Sequence, residues 1–265
     1  MSTHKGKNAS PAAEGPLFLQ STARTLRVLE VFAQQPRPLS IAELAAAAGL
    51  NKSAGQRIVH TLQAMGYLDR SSEGLVPGKK TLYRAFDFLR MNALVESATP
   101  VLHELRKSVN ERVDLSLLDG PDIVYVVRLQ SKRETFSATL VGRRIPSFCS
   151  SGGRAMLAAM PEEEAMRILE ASDRTPLTPR TITDIPKIVR KIGEARRQGY
   201  ATAVEESLLG EIALAAAVLD INQRPVAAIH VAASLSEWTE EGFRQRVSPL
   251  VMEAAQALSH SYKRG

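Results

Sequence analysis

The chain has 265 residues and a net charge of +6, length enough for about two domains with cores of their own. Its single cysteine, Cys149, excludes an intramolecular disulfide framework and a cysteine-rich zinc site, and fits a reducing cytoplasm. No apolar run of signal-peptide length opens the chain and none approaches the roughly 20 residues of a membrane span, so a soluble cytoplasmic protein without membrane contact is expected. The charge is unevenly placed. Residues 1–92 carry 12 Lys+Arg against 6 Asp+Glu, and the remainder 22 against 22, so the excess lies at the N-terminal end and points to a polyanion there.

Residues 1–20 read as a disordered arm. A helix over 22–34 follows, with Leu26, Leu29, Phe32 and Ala33 on one stripe, and Pro36 and Pro38 stop it. Arg24 and Arg27 lie in its early turns, within reach of a phosphate. Ser40 followed by Glu43 is a capping box, so a second helix starts near Ile41 and buries Leu44, Ala45 and Ala48. Gly49 then turns the chain in a left-handed conformation. From Asn51 a third helix carries Ala54, Ile58, Leu62 and Met65 inward, leaving Lys52, Ser53, Gln56, Arg57, His60 and Gln63 outside. Gly66-Tyr67-Leu68 leads into a strand, Ser71-Ser72-Glu73-Gly74 turns, and Leu75-Val76 returns. This is a winged helix-turn-helix over 21–77. A solvated face is the competing reading of the third helix, but the wing beside it favours a DNA groove. Arginine can fork onto guanine and glutamine can pair with adenine, while Lys52, Ser53 and Arg70 of the wing suit phosphate.

A linker helix is expected over 78–96, its stripe of Leu82, Ala85, Phe86, Leu89 and Ala93 having no domain around it. Leu82, Phe86 and Leu89 suit pairing with a second chain, with packing on the chain's own C-terminal domain as the alternative. A homodimer is expected, because one recognition helix reads few bases. Thr99 and Pro100 then read as the cap and first residue of a new helix. Alternation at Val113, Leu115 and Leu117, a β-branched run over 123–127, and alternation at Phe136, Ala138 and Leu140 read as strands. Helices follow over 153–160, from Pro161, and from Asp184 to Gly199. Strands return over 200–205, 212–219 and 226–233. Thr239 caps a last helix whose Phe243 can staple onto Trp238. The order describes an α+β domain over 97–262, an antiparallel sheet with flanking helices.

Within it, IPSFCSSGGRA at 145–155 is the one concentrated polar, glycine-rich stretch before a helix. Its serines and backbone N–H groups suit a carboxylate, although an ordinary glycine-rich loop would look similar. It is neither a P-loop nor a nucleophile elbow. Cys149, His230 and Glu205 can be assembled on paper into a catalytic triad, but a cysteine beside Phe148 more often behaves as a small buried hydrophobe. The histidines lack ligand spacing, so no metal or other cofactor is expected. Glu205-Glu206 reads as a solvated strand end.

The series LNKSAGQRIVHTLQAMGYL, IPSFCSSGGRAMLA, LTPRTITD, RRQGYATAVEESLLG and RPVAAIHVA resembles the IclR-type bacterial transcriptional regulators over about residues 21–259. That resemblance implies a winged helix domain, a linker helix and a GAF-like effector domain. It further implies dimers or dimers of dimers that control catabolic operons and are not enzymes. The family's effector loop falls on Phe148, Cys149, Ser150, Ser151 and Gly152, and its inner strand positions on Ala213, Ala215, His230 and Ala232. Members that bind small keto acids place serines at positions 230 and 232, an aspartate at 203 and an arginine at 212, where this chain has His230, Ala232, Ala203 and Ile212. Its Phe-Cys-Ser-Ser-Gly-Gly-Arg form looks more like the branch answering to aromatic acids such as protocatechuate. The expected pose puts a carboxylate toward Ser151 and Gly152, a ring over the alanines and His230 on a ring substituent. An enzyme using Cys149 and His230, and a DNA-architectural protein without a ligand, are the competing functions.

Overall fold

Ser40 and Glu43 form the reciprocal cap: the Ser40 hydroxyl accepts from the Glu43 N–H at 3.2 Å, and the Glu43 carboxylate accepts from the Ser40 N–H at 2.8 Å. In a computed structural model, which describes residues 15–130 and 140–262, the chain divides after Met91 into two units. The first holds α1 (Gln20–Gln34), α2 (Ile41–Ala47), α3 (Lys52–Ala64), β1 (Leu68–Arg70), β2 (Leu75–Pro77) and α4 (Lys79–Met91). Most of the arm expected over 1–20, and the strand expected at Phe136 and Ala138, lie outside the described residues.

The helix-turn-helix depends on one close approach. Asn51 caps α3 by accepting from the Ala54 N–H at 2.9 Å, and Gly49 turns at φ +68°. Gly55 faces α2 so closely that a Cβ there would stand 2.4 Å from the Ala45 Cβ. The crossing therefore requires a residue without a side chain. Val28, Val31, Leu39, Leu44, Val59, Leu62, Leu68 and Leu75 fill the core above it. Leu39 exchanges both backbone hydrogen bonds with Leu75, tying the segment before α2 to the wing.

Three sequence expectations need correction here. The α1 stripe is rotated: Val28 and Val31 are buried with Leu29 and Phe32 beside them, while Leu26 and Ala33 are exposed. In α3 the inward positions are Gly55, Val59 and Leu62, and Met65 is exposed, because the helix ends at Ala64 and the chain turns away. The linker is not one helix over 78–96. α4 stops at Met91, and Asn92 accepts from the Leu94 and Val95 N–H groups to start α5 (Ala93–Val109). Thr99 and Pro100 sit inside that helix rather than at its start.

The second unit is an α+β layer structure. A six-stranded antiparallel sheet runs in the order β5 (Arg144–Pro146), β4 (Asp122–Leu129), β3 (Arg112–Asp119), β8 (Pro225–Ser234), β7 (Glu211–Leu219), β6 (Ala201–Val204). Leu140 is exposed and outside any strand. Both faces of the sheet are covered, so its residues are buried on either side of the pleat. Helices α5 and α9 (Glu240–Tyr262) pack on one face. Thr239 caps α9, accepting from the Gly242 N–H at 3.1 Å, and Trp238 meets Phe243 edge-on at 5.6 Å. On the other face lies α6 (Ser151–Ala158), with α7 (Glu162–Ala171) and α8 (Ile185–Gln198) behind it.

Replacing glycine by alanine on an open helix stabilises by about 0.8–1.0 kcal/mol. At Gly55 the added methyl must instead push α2 away, so Gly55→Ala should destabilise the first unit by about 1–3 kcal/mol in chemical denaturation. A gain in stability would contradict the crossing.

Candidate functional site

On the first unit the candidate nucleic-acid face is built by α3 and the wing. Lys52, Ser53, Gln56, Arg57 and His60 are all exposed, on the side of α3 opposite Val59 and Leu62. Arg70 is exposed at the end of β1, and Arg24 is exposed on α1. The cap at Asn51 leaves Lys52 and Ser53 in the first helical turn, where backbone N–H groups and the helix dipole favour a phosphate.

On the second unit the site is set by sheet register. Asp114, His230, Ala215 and Ala201 form one row across β3, β8, β7 and β6; Arg112, Ala232, Ala213 and Ala203 form the next. The small alanines let α6 approach, and two glycines at its start complete the fit. A Cβ on Gly152 would fall 2.0 Å from the His230 ring, and one on Gly153 would fall 2.3 Å from the Ser147 backbone. His230 is thus held between α6 and the sheet. Its Nε2 lies 2.7 Å from the Ser116 hydroxyl, its Nδ1 lies 3.4 Å from the Ser151 hydroxyl, and the Tyr125 ring stands 5.2 Å away. Burial pushes its pKa down to about 4, so the ring is neutral near pH 7, with one nitrogen donating and the other accepting.

Beside His230 is a cavity lined by Tyr125, Ser150, Ser151, Ala203, Glu206, Ser207, Leu208, Glu211 and Ala213. It is narrow: about 10 Å³ of it admits the centre of a water molecule, room for roughly one water. Of the expected effector residues, Ser150, Ser151 and Ala213 line it. Gly152 is covered by His230, and Ala215 lies opposite His230 in the packed core, so the floor expected over the alanines is filled by the imidazole. Ala232 is buried in the row beside Ala213. Phe148 and Cys149 belong to the core behind α6, with Met156, Leu157 and Ile188. The anion cradle is also partly spent. Ser150 is the N-cap of α6, its hydroxyl accepting from the Gly153 N–H at 3.1 Å.

Sequence reasoning misses the charged groups of this site. Glu206 is buried, not solvated. It accepts from both terminal nitrogens of Arg154, at 2.5 and 2.7 Å, and Arg154, itself fully buried, also donates to the Phe148 carbonyl at 2.8 Å. The Glu206 carboxylate further accepts from the Ile182 N–H, while the Thr178 and Thr181 hydroxyls donate to the carbonyls of Glu205 and Glu206. A buried ion pair of this kind tethers the loop after β6 to α6, and removing one partner would leave the other unpaired. Across the sheet, Asp114 accepts from Arg128 at 3.1 and 3.2 Å and from Arg112 at 3.0 Å, and Arg112 reaches Glu211 at 2.8 Å. The alternation of β3 had concealed Asp114 and Ser116 among apolar neighbours.

The IclR helix-turn-helix domain model matches residues 21–72, and that of the bacterial transcriptional regulator IclR C-terminal domain matches residues 86–260. The chain belongs to the IclR family. It is a DNA-binding transcriptional regulator and not an enzyme. It is 31% identical over 248 residues to the Pca regulon regulatory protein of Pseudomonas putida, spanning 92% of this chain and 84% of that one. An IclR family transcriptional regulator structure from Brucella abortus matches with a TM-score of 0.77 and 26% identity over 96% of each chain. An IclR homologue from Microbacterium hydrocarbonoxydans, solved with 4-hydroxybenzoate, matches in fold with a TM-score of 0.75 and 24% identity, over 93% of this chain and all of that one. Cys149 is also poorly set up as a nucleophile: it is fully buried in the core behind α6, and that burial pushes its thiol up to about 12.

His230 makes stability depend on pH with a defined sign. Its folded pKa, about 4, is below the ordinary 6.5, so the unfolded chain binds the extra proton between those values. Its contribution is complete above pH 6.5 and is lost as pH falls toward 4. Wild type should lose up to about 3 kcal/mol relative to His230→Asn over that window in urea denaturation. Parallel pH profiles for the two proteins would show a solvated imidazole.

Proposed function

We propose that this regulator controls a catabolic operon in the cytoplasm, binding operator DNA through α3 and the wing and taking an aromatic organic acid into the cavity between the sheet and α6. The observation that carries the effector half is the cavity itself, a narrow, partly open space between α6, the sheet and the loop after β6 in a regulator's second unit. The relative named for the Pca regulon and the homologue solved with 4-hydroxybenzoate favour an aromatic acid over the small keto acids. A ring is far larger than the present free space, so its entry requires Tyr125 or the loop after β6 to move. That gives ligand and DNA two conformations to discriminate.

At the DNA, Gln56, Arg57 and His60 read base edges while Lys52, Ser53, Arg24 and Arg70 hold phosphates. Two copies act together, at least as a dimer and in some assemblies as a dimer of dimers. Leu82 and Phe86 are 69% and 61% exposed on α4, with half-buried Leu89 one turn further along, an apolar face suited to a second α4. Light scattering at micromolar concentration should give at least twice the 28.9 kDa chain mass; a monomer that still binds operator would sink the pairing.

Arg57→Ala should cost about 1–3 kcal/mol of operator affinity and relax sequence preference, as loss of one base-reading side chain does. Lys52→Ala should instead weaken all sequences alike and flatten the salt dependence. Mobility-shift titrations at two salt concentrations separate the two outcomes. Unchanged affinity in Arg57→Ala would remove α3 from the groove.

A further inference from the structure

The Arg128 guanidinium is almost wholly buried, and its Nη1 has no hydrogen-bond partner, the single buried side-chain nitrogen or oxygen among the described residues left so. Its other two nitrogens are both committed to Asp114. Its Cζ lies 4.0 Å from the centre of the Tyr125 ring, and Tyr125 lines the cavity. Arg112 shares Asp114 and reaches Glu211, which also lines the cavity. Two guanidinium groups therefore share the Asp114 carboxylate, and one donor of Arg128 is left without an acceptor.

An unused, buried guanidinium donor is the complement of an anion's oxygen. Arginine nitrogens left after one carboxylate pairing are suited to a second, because the planar fork fixes their direction. The geometry points to Arg128 as the residue that recognises the effector's carboxylate, with Tyr125 as the ring that covers it until the ligand arrives. This rests on the effector cavity proposed above and reverses the ligand within it, since the start of α6 has little left to offer. The Ser150 hydroxyl is already the cap, and Gly152 is covered by His230. The carboxylate then lies at the β3–β4 side of the cavity, and the ring points toward Ser151, Ala203 and Ala213. The specificity that results is for an acid carrying one negative charge, discriminated from its neutral amide.

Calorimetry on the full-length protein with benzoate and benzamide tests this, in wild type, Arg128→Gln and Arg128→Lys. Wild type should bind benzoate and bind benzamide about tenfold or more weakly. Arg128→Gln should lose benzoate affinity by a similar factor and leave the weak benzamide binding alone. Arg128→Lys keeps a cation toward Asp114, so it guards against misfolding, and it too should bind benzoate more weakly than wild type. Side-chain nitrogen NMR of wild type adds a reading without substitution: the Arg128 resonances should shift on benzoate addition. Benzoate bound equally by wild type and Arg128→Lys, with Arg128 resonances unmoved, would overturn the assignment and leave the cavity standing. Wild type that binds neither compound would overturn the effector cavity and this inference with it.

Discussion

The contact on which the second unit depends is the one between the His230 imidazole and the bare backbone of Gly152. A methyl at residue 152 has no room, because the ring already occupies that space. The glycine lets α6 settle on the sheet, the alanines of β6 and β7 make that face shallow, and the neutral imidazole joins Ser116 to Ser151 across the gap. Burying a histidine costs proton affinity, as its pKa of about 4 records. The cost is offset by two hydroxyl partners, so the group is satisfied without a charge.

Around that neutral centre the charges are sorted into two sets with different tasks. Arg154 and Glu206 satisfy one another and hold the loop after β6 to α6, a closed pair with backbone carbonyls and N–H groups taking up the remaining valences. The set on β3 and β4 is open. Asp114 serves two arginines and leaves a guanidinium nitrogen unused beneath Tyr125. A closed pair rigidifies, whereas an open one stores an unmet interaction that a ligand can complete.

Much of the architecture is legible in the sequence because it is written in local chemistry. Caps at Ser40, Asn51, Asp184 and Thr239 and the turn at Gly49 need only neighbouring residues, and the strands on either side of the turn at 119–122 alternate or run β-branched. What depends on distant partners is less visible. Nothing near Gly55 announces that Ala45 will stand against it, although a glycine in mid-helix without a turn signal is a hint of close approach. Asn92 was available as a cap, yet Thr99-Pro100 offers the stronger local pattern and misplaces the start of α5. In the site, the loop at 147–152 stands out by composition, but Arg128 and Asp114 become site residues only once β3 pairs with β4, and Glu206 only once the loop after β6 meets α6. For Asp114 and Arg128, polarity inside an apolar run is the signal that marks them.

The central claim is that one molecule couples an acid in the second unit to DNA on the first. Coupling of this kind is reciprocal: if the acid changes operator affinity by some factor, the operator changes acid affinity by the same factor. The direct measurement is the benzoate dissociation constant of the full-length protein, with and without a saturating duplex that it binds specifically. The account predicts a change of about 5–150-fold, equal to the change in operator affinity measured with and without saturating benzoate. Benzoate and DNA that each bind with no effect on the other would contradict it.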